Sequence, residues 1–266
     1  MPRRDGVNYD RQLITHSRPD GLPAKLPLVH MTAAWSATEI VRSGKFVTRR
    51  CDVFGAELLY FFVLRPAYRS RFGNEESHQI SRFPVAFIVR PEAVPSPRHV
   101  YPFDTGGAAK GAFSSKADKY VPLEDYALEA SHLAATGHIG WAFGALEAYF
   151  AGRLREDIND DIPVFESVTS GFVDVARMGV ELSNEHDKRA STIELAAAHN
   201  VDLVGNVRLV ILPKQYLEGN NPLTDLIEKT GAQVELYDWQ PNRAPDEFQK
   251  DIRRICREWY GAEGIM

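Results

Sequence analysis

Apolar and polar positions change spacing several times along the chain, and each change predicts an element. Short apolar runs bounded by glycine, proline or polar residues are typical of strands. Such runs lie at 26–31, 45–50, 58–64, 83–89, 201–213 and 233–239. The run at 201–213 has room for one or two strands, with Pro213 as its stop.

Apolar residues spaced three or four apart predict helices elsewhere. These segments lie at 123–137, 138–156, 222–231 and 245–261. A further helix is predicted to start with a capping box from Ser36 to Glu39 and to end at Gly44. The glycine-rich stretch at 100–113 predicts a loop. Because strands and helices do not alternate regularly, the pattern favours an α+β fold over a doubly wound parallel sheet.

The length of 266 residues allows one large domain or two small ones. Residues 1–24 contain three prolines and many polar groups, which predicts an N-terminal arm. The sequence shows no internal repeat. We therefore predict a single domain over residues 25–266.

Composition and cysteine usage narrow the class of protein. With 44% apolar and 25% charged residues, the chain can form an ordinary globular core. No apolar run approaches the roughly 18 residues that cross a membrane, and no secretory h-region follows the basic start. Cys51 and Cys256 lie far apart and form no metal or redox motif. We expect a cytoplasmic protein with no membrane partner and no metal.

Charge is distributed unevenly along the chain. Residues 1–71 contain 12 Lys and Arg against 6 Asp and Glu, a net charge of +6, whereas the remainder carries −11. A basic N-terminal third could face a phosphate, a pyrophosphate or a nucleic-acid backbone. The alternative is a basic face exposed to solvent.

His30 and Thr32 lie at the end of a predicted strand, directly before a predicted helix. Strand alternation directs both side chains to one face. A histidine in this place can donate a hydrogen bond to a sugar hydroxyl, and Thr32 can add a second polar contact. The alternative is a histidine that caps a nearby carbonyl.

Glu194 follows a charged loop at 185–189. If residues 192–195 form a strand, Ile193 and Leu195 face the core, and Glu194 faces the other side with Thr192. A carboxylate on a rigid strand suits a catalytic acid or an electrostatic role. The alternative is an exposed strand glutamate.

The order of these features resembles the ADP-ribosyltransferase superfamily, particularly its His-Tyr-Glu branch. That order is His-x-Thr, a helix ending in glycine, the Tyr-Phe-Phe strand at 58–64 with the downstream Tyr68, and a late strand glutamate. The stretch from His30 to Phe46 also looks like the opening of bacterial DNA-targeting toxins of the DarT type. The resemblance covers three patches of the chain.

The resemblance implies a split β-sandwich of two small packed sheets with flanking helices, and NAD as the substrate. In the family, a histidine and a tyrosine flank the nicotinamide ribose, a second aromatic residue stacks on the nicotinamide, and a glutamate drives catalysis. The implied catalytic residues are Glu194, His30 and Tyr60. The implied NAD contacts are His30, Thr32, Tyr60, Tyr68 and Arg65.

One departure from the family pattern and one further family feature bear on the substrate. Thr192 stands two residues before the glutamate, where arginine-modifying members have Gln or Glu, which argues against arginine as the acceptor. The DNA-targeting toxins also use an arginine near the site, and the candidates here are Arg49, Arg65 and Arg69.

The implied function is transfer of ADP-ribose from NAD to a macromolecular acceptor, either nucleic acid or protein. The resemblance further implies a toxin or antiviral defence role and leaves open an inhibitory partner of unidentified kind. Two alternatives remain, an NAD glycohydrolase with water as the acceptor and a binding module that keeps the NAD or ADP-ribose site without catalysis.

Overall fold

A computed structural model describes residues 21–68, 76–179, 187–218 and 223–266. Most of the predicted arm at 1–24 thus lies outside the described residues. The chain divides into two compact units. The first unit comprises Met1–Leu26, Cys51–Ala56 and Ser96–Ala196, and the second comprises Pro27–Arg50, Glu57–Pro95 and Ala197–Met266. A single domain over 25–266 stays a prediction.

The described strands and helices have the following bounds. The strands are β1 (Leu28–Ala33), β2 (Lys45–Phe46), β3 (Arg49–Cys51), β4 (Ala56–Val63), β5 (Pro84–Val89), β6 (His99–Tyr101), β7 (Glu194–Ala197), β8 (Val201–Asp202), β9 (Val207–Pro213) and β10 (Gln233–Tyr237). The helices are α1 (Ala34–Ser43), α2 (Thr105–Ala109), α3 (His132–Phe143), α4 (Leu146–Ala151), α5 (Ser167–Arg177), α6 (Leu223–Glu228) and α7 (Gln249–Ala262).

The second unit contains strands in the order β10-β9-β5-β1-β4. Strand β1 is antiparallel to both β4 and β5, β5 is antiparallel to β9, and β9 is parallel to β10. All six residues of β5 are buried, as expected for an interior strand. Strands β2 and β8 form a separate antiparallel pair. The mixture of antiparallel and parallel pairs agrees with an α+β fold.

Helix α1 begins two residues earlier than the predicted capping box. Strand β1 runs directly into the helix at Ala34, whose amide donates to the carbonyl of Phe83 at 2.8 Å. The N-cap residue Ala33 offers no side-chain hydrogen bond, and Ser36 lies inside the helix. The capping-box prediction was therefore wrong. The predicted end at Gly44 is confirmed, since this residue adopts a left-handed φ of 70°.

The first unit contains the antiparallel pair β6 and β7 together with helices α2 to α5. The predicted loop at 100–113 was wrong in part, because it includes the end of β6 and the whole of α2. Asp104 caps α2 by accepting a hydrogen bond from the amide of Gly107. The helices predicted at 123–137 and 138–156 are instead divided, with α3 capped by Ser131 and ended by Gly144.

A tight turn follows β4. Leu64 adopts a φ of 58°, which is uncommon for a residue with a side chain. Its amide donates to the carbonyl of Pro27 at 2.7 Å, and its carbonyl accepts from the Tyr260 hydroxyl at 2.8 Å. The Gln249 side chain donates to the carbonyl of Pro66 at 3.4 Å. Helix α7 therefore holds the turn that contains Arg65.

The predicted mixed α+β class, with two sheets and flanking helices, is confirmed. Strand β9 ends at Pro213, where the sequence placed a stop. Within the described ranges, none of the helices has the length and apolar character that a membrane crossing requires.

We predict that Tyr260→Phe lowers the free energy of unfolding by about 1 kcal/mol, because the buried carbonyl of Leu64 loses its hydroxyl donor. Urea unfolding measures the difference. Tyr120→Phe is the matched control, since the Tyr120 side chain is exposed. Equal unfolding free energies for the two variants would mean that the Tyr260 hydroxyl does not stabilise the turn.

Candidate functional site

The ring of His30 packs among three phenylalanines of the second unit. Its centroid lies 4.9 Å from that of Phe46, 5.8 Å from that of Phe61 and 6.5 Å from that of Phe87. Strand β1 places His30 opposite Phe87 of β5, which explains why the two rings share a face. This surrounding removes much of the ring from water.

The hydrogen bonding of His30 fixes its tautomer. Its Nδ1–H donates to the backbone carbonyl of Tyr60 at 2.9 Å, because a carbonyl can only accept. Burial lowers the pKa of His30 below its ordinary value of 6.5, the bond to Tyr60 opposes this shift, and the positive charge of Arg49 adds to it. The imidazole is therefore neutral at pH 7, and Nε2 carries a lone pair.

This arrangement changes the expected role of His30. The sequence led us to expect a histidine that donates to a sugar hydroxyl. Since the Nδ1 proton is already used by Tyr60 and burial disfavours a second proton, Nε2 can only accept. A hydroxyl approaching Nε2 would act as the donor.

Tyr60 is connected to His30 through its backbone. The register pairs Leu28 with Val63 and Val29 with Phe62, so alternation puts Phe61 on the face of His30. The Tyr60 side chain then points to the opposite face of β4. The resemblance implies that Tyr60 and His30 flank the nicotinamide ribose together. The structure instead joins Tyr60 to His30 through the Tyr60 carbonyl.

Thr32 lies near the end of β1, and a hydrogen bond connects Tyr68 to the same end of the sheet. Thr32 pairs with Val85, two positions along from the pair of His30 and Phe87, so Thr32 and His30 share a face as predicted. The Tyr68 hydroxyl donates to the carbonyl of Arg82 at 3.3 Å, just before β5 begins. This bond places Tyr68 near the end of β1 that carries Thr32.

The three candidate arginines differ in exposure. Arg65 is fully buried in the turn after β4. Arg49 is exposed on β3, and its charge acts on His30. Arg69 lies outside the described residues. Of the two described arginines, Arg49 is the one that a ligand can reach from solvent.

Glu194 is the first residue of β7 in the first unit, and its side chain is only 4% exposed. The alternative of an exposed strand glutamate is therefore excluded. Ile193 and Leu195 are fully buried, as predicted for the core face. The strand begins at Glu194 rather than at Thr192, whose hydroxyl donates to the carbonyl of Lys188. Residues 185 and 186 of the predicted charged loop lie outside the described residues.

The surroundings of Glu194 favour its protonated form. Burial is the largest cause of its raised pKa, and the negative charge of Asp104 raises the pKa further. The hydroxyl of Thr105 donates to Oε1 of Glu194 at 2.5 Å, and this bond and the Thr105 amide act in the opposite direction. Cys51 adds a smaller upward shift.

An ion-pair network adjoins this carboxyl group. Arg189 donates to both carboxylate oxygens of Asp187, and its Nη1 lies 3.4 Å from Oδ2 of Asp104. The sequence pattern does not indicate Asp104 or Thr105, because the glycine-rich stretch at 100–113 predicts a loop. An aspartate directly before Thr-Gly-Gly is the signal of a helix N-cap that could have indicated both residues.

The predicted residues are thus distributed over both units. His30, Thr32, Tyr60, Arg65 and Tyr68 belong to the second unit, and Glu194 belongs to the first. Among the described residues, no group of three or more His, Cys, Asp and Glu side chains could hold a metal ion.

Comparisons with known proteins give a distant structural similarity. No protein-family model matches the chain. No curated protein matches it either. Among solved structures, the chain is similar to that of Thermus sp. 2.9 DarT in complex with carba-NAD+, with 10% sequence identity and a TM-score of 0.40. The similarity covers 81% of this chain and 97% of that chain. With so low a TM-score it assigns no function, and the chemistry rests on the residues described above.

We predict that His30 is neutral at pH 6.5, with the proton on Nδ1, because burial and the Arg49 charge disfavour the imidazolium. Nitrogen-15 NMR of the imidazole reports both the tautomer and the titration midpoint, and His30→Gln assigns the signal. The midpoint should lie below 6.5. An Nε2–H tautomer, or an imidazolium at pH 6.5, would contradict the hydrogen bond to Tyr60.

Proposed function

We propose that the chain is an NAD-dependent ADP-ribosyltransferase that transfers ADP-ribose to a macromolecular acceptor. The observation that carries the proposal is the Glu194 carboxyl group, buried at the start of a strand and held by one hydroxyl donor. Buried carboxyl groups with a shifted pKa are concentrated at functional sites. The sequence resemblance to the His-Tyr-Glu branch gives this carboxyl group its role.

The reaction requires stabilisation of a positive charge. Breaking the nicotinamide–ribose bond passes through an oxocarbenium-like transition state, as in glycoside hydrolysis. In its ionised form, Glu194 would stabilise this charge and accept a hydrogen bond from a ribose hydroxyl. Because its pKa is raised, activity should rise with pH over a range above that of an ordinary glutamate.

His30 supplies a complementary polar contact in this proposal. Its Nε2 lone pair accepts a hydrogen bond from a ribose hydroxyl of NAD, and Thr32 adds a second contact on the same strand face. The Tyr60 carbonyl contributes by fixing the tautomer of His30. Tyr68 provides an aromatic ring for the neutral nicotinamide.

The arginines take different roles in the proposal. Arg49 is exposed beside His30 and can pair with the pyrophosphate of NAD. Arg65 is buried, so a contact between Arg65 and NAD would require the turn after β4 to open. In this proposal, Arg49 is the residue of the basic N-terminal third that pairs with the pyrophosphate of NAD.

The acceptor is proposed to be nucleic acid or protein, with a toxin or antiviral defence role as the biological setting. The Thr192 position argues against arginine as the modified group. A chain that released nicotinamide without labelling a macromolecule would be an NAD glycohydrolase instead.

We predict that Glu194→Gln lowers kcat for nicotinamide release roughly a hundredfold and leaves the affinity for NAD within about threefold. The amide keeps the shape of the side chain but loses the negative charge, which matters mainly in the transition state. Nicotinamide release and isothermal titration with NAD measure the two quantities.

Glu235→Gln is the matched control, because Glu235 is an exposed glutamate on the strand β10. This control should retain wild-type kcat. If Glu194→Gln released nicotinamide at the wild-type rate, Glu194 would be a structural residue and other residues would stabilise the transition state.

We predict that Arg49→Gln weakens NAD binding about five- to tenfold at low salt, the loss of one charge-assisted contact with the pyrophosphate. Arg50→Gln is the control, because the neighbouring residue of β3 points to the other face and undergoes the same charge change. Titration with NAD at two salt concentrations should show that the difference in affinity between the two variants decreases as the salt concentration increases. Equal weakening by both variants would mean that only the overall basic charge matters.

A further inference from the structure

We infer that Thr105 and its neighbour Asp104 are positioning residues for the catalytic carboxyl group of Glu194. This inference rests on the proposed function, in which Glu194 drives the reaction. All three residues belong to the first unit. Neither the comparisons nor the sequence resemblance assigns a role to Thr105 or Asp104.

The contact between Thr105 and Glu194 is short and shielded from water. Thr105 is 1% exposed, and its hydroxyl donates to Oε1 of Glu194 at 2.5 Å. Since a threonine hydroxyl has one proton, this bond occupies one carboxylate oxygen and leaves Oε2 without that donor. The Thr105 amide also bonds the Glu194 carboxyl group, so the hydroxyl and the amide of Thr105 together orient it.

Thr105 is itself held in place by the start of α2. The preceding residue Asp104 accepts from the amide of Gly107 and pairs with Arg189. The backbone adds a further connection, because the amide of Asp104 donates to the carbonyl of Arg189 at 3.2 Å. Arg189 is in turn fixed by Asp187, with its Nε 2.8 Å from Oδ1.

Gly107 shows how closely this start of α2 is packed. A Cβ atom at Gly107 would lie 3.0 Å from Oδ1 of Asp104 and 3.3 Å from the ring of Phe113. A side chain at Gly107 would therefore crowd the Asp104 cap, which directly precedes the hydroxyl donor Thr105. Preorganised donors of this kind cost no reorganisation during reaction.

Asp104 and Thr105 shift the pKa of the Glu194 carboxyl group in opposite directions. The charge of Asp104 raises the pKa of Glu194, whereas the hydrogen bond from Thr105 lowers it. Cys51 also raises this pKa. A contact that matters only for folding would change stability and leave kcat unchanged, whereas a positioning residue changes kcat with little effect on KM.

The experiment compares Thr105→Val, Thr105→Ser and Asp104→Asn with the wild type. Val removes the hydroxyl and keeps the shape, Ser keeps the hydroxyl, and Asn keeps the helix cap while removing the charge. Thr136→Val is the matched control, because Thr136 is another buried threonine of the first unit, and its hydroxyl donates within α3.

Two readouts are needed for each variant. One is kcat and KM for nicotinamide release from NAD as a function of pH. The other is the titration of Glu194 by carbon-13 NMR of labelled glutamate, assigned with Glu194→Gln, which does not depend on activity.

We expect Thr105→Val to lower kcat about tenfold or more, with KM for NAD within about twofold, and to raise the pKa of Glu194. Thr105→Ser should recover most of kcat. Asp104→Asn should lower the pKa of Glu194 and shift the acidic limb of the profile of kcat against pH to lower pH. Thr136→Val should change neither kcat nor the Glu194 titration.

The inference is overturned if Thr105→Val titrates like the wild type, or if Thr105→Ser loses as much kcat as Thr105→Val. Failure of the proposed function has a different signature. In that case the wild type releases no nicotinamide, while the opposite shifts of the Glu194 titration still appear in the NMR measurement.

Discussion

The hydrogen bond from Thr105 to the buried carboxyl group of Glu194 is the interaction on which this account depends. A carboxyl group removed from water must either keep its proton or gain donors that replace the solvent. In the first unit both tendencies are present, because burial and Asp104 favour protonation while Thr105 favours ionisation. The helix cap at α2 and the ion pairs of Arg189 fix the positions of Asp104 and Thr105 next to this carboxyl group.

The same physical logic governs His30 in the second unit. Burial among phenylalanines disfavours its charged form, and the Tyr60 carbonyl fixes which nitrogen carries the proton. The result is a neutral imidazole with one acceptor nitrogen. In both cases hydrogen-bond partners orient a buried polar side chain and influence which of its forms, charged or neutral, is favoured.

Much of the fold follows from local patterns in the sequence. The strands β1, β4, β5, β9 and β10 coincide with apolar runs that propensity predicts, and Gly44 ends α1 as its left-handed conformation requires. The prediction of a capping box at Ser36 was wrong because a tertiary contact determines where α1 begins. In this contact the amide of Ala34 donates to the carbonyl of Phe83. Helix α2 was not predicted, because its two glycines are typical of a loop. Asp104 nevertheless caps a short helix there.

The candidate site was harder to predict for a physical reason. Residue types indicated His30, Thr32 and Glu194, but exposure and strand face depend on pairing that one sequence does not encode locally. Pairing directs the Tyr60 ring away from the His30 face, and the turn at Leu64 buries Arg65.

The most direct test of the central claim is incubation with isotopically labelled NAD in the presence of DNA, RNA and protein, followed by mass spectrometry. We expect that nicotinamide is released and that an equal amount of labelled ADP-ribose appears on a macromolecule. An absence of nicotinamide release with every acceptor would contradict the account.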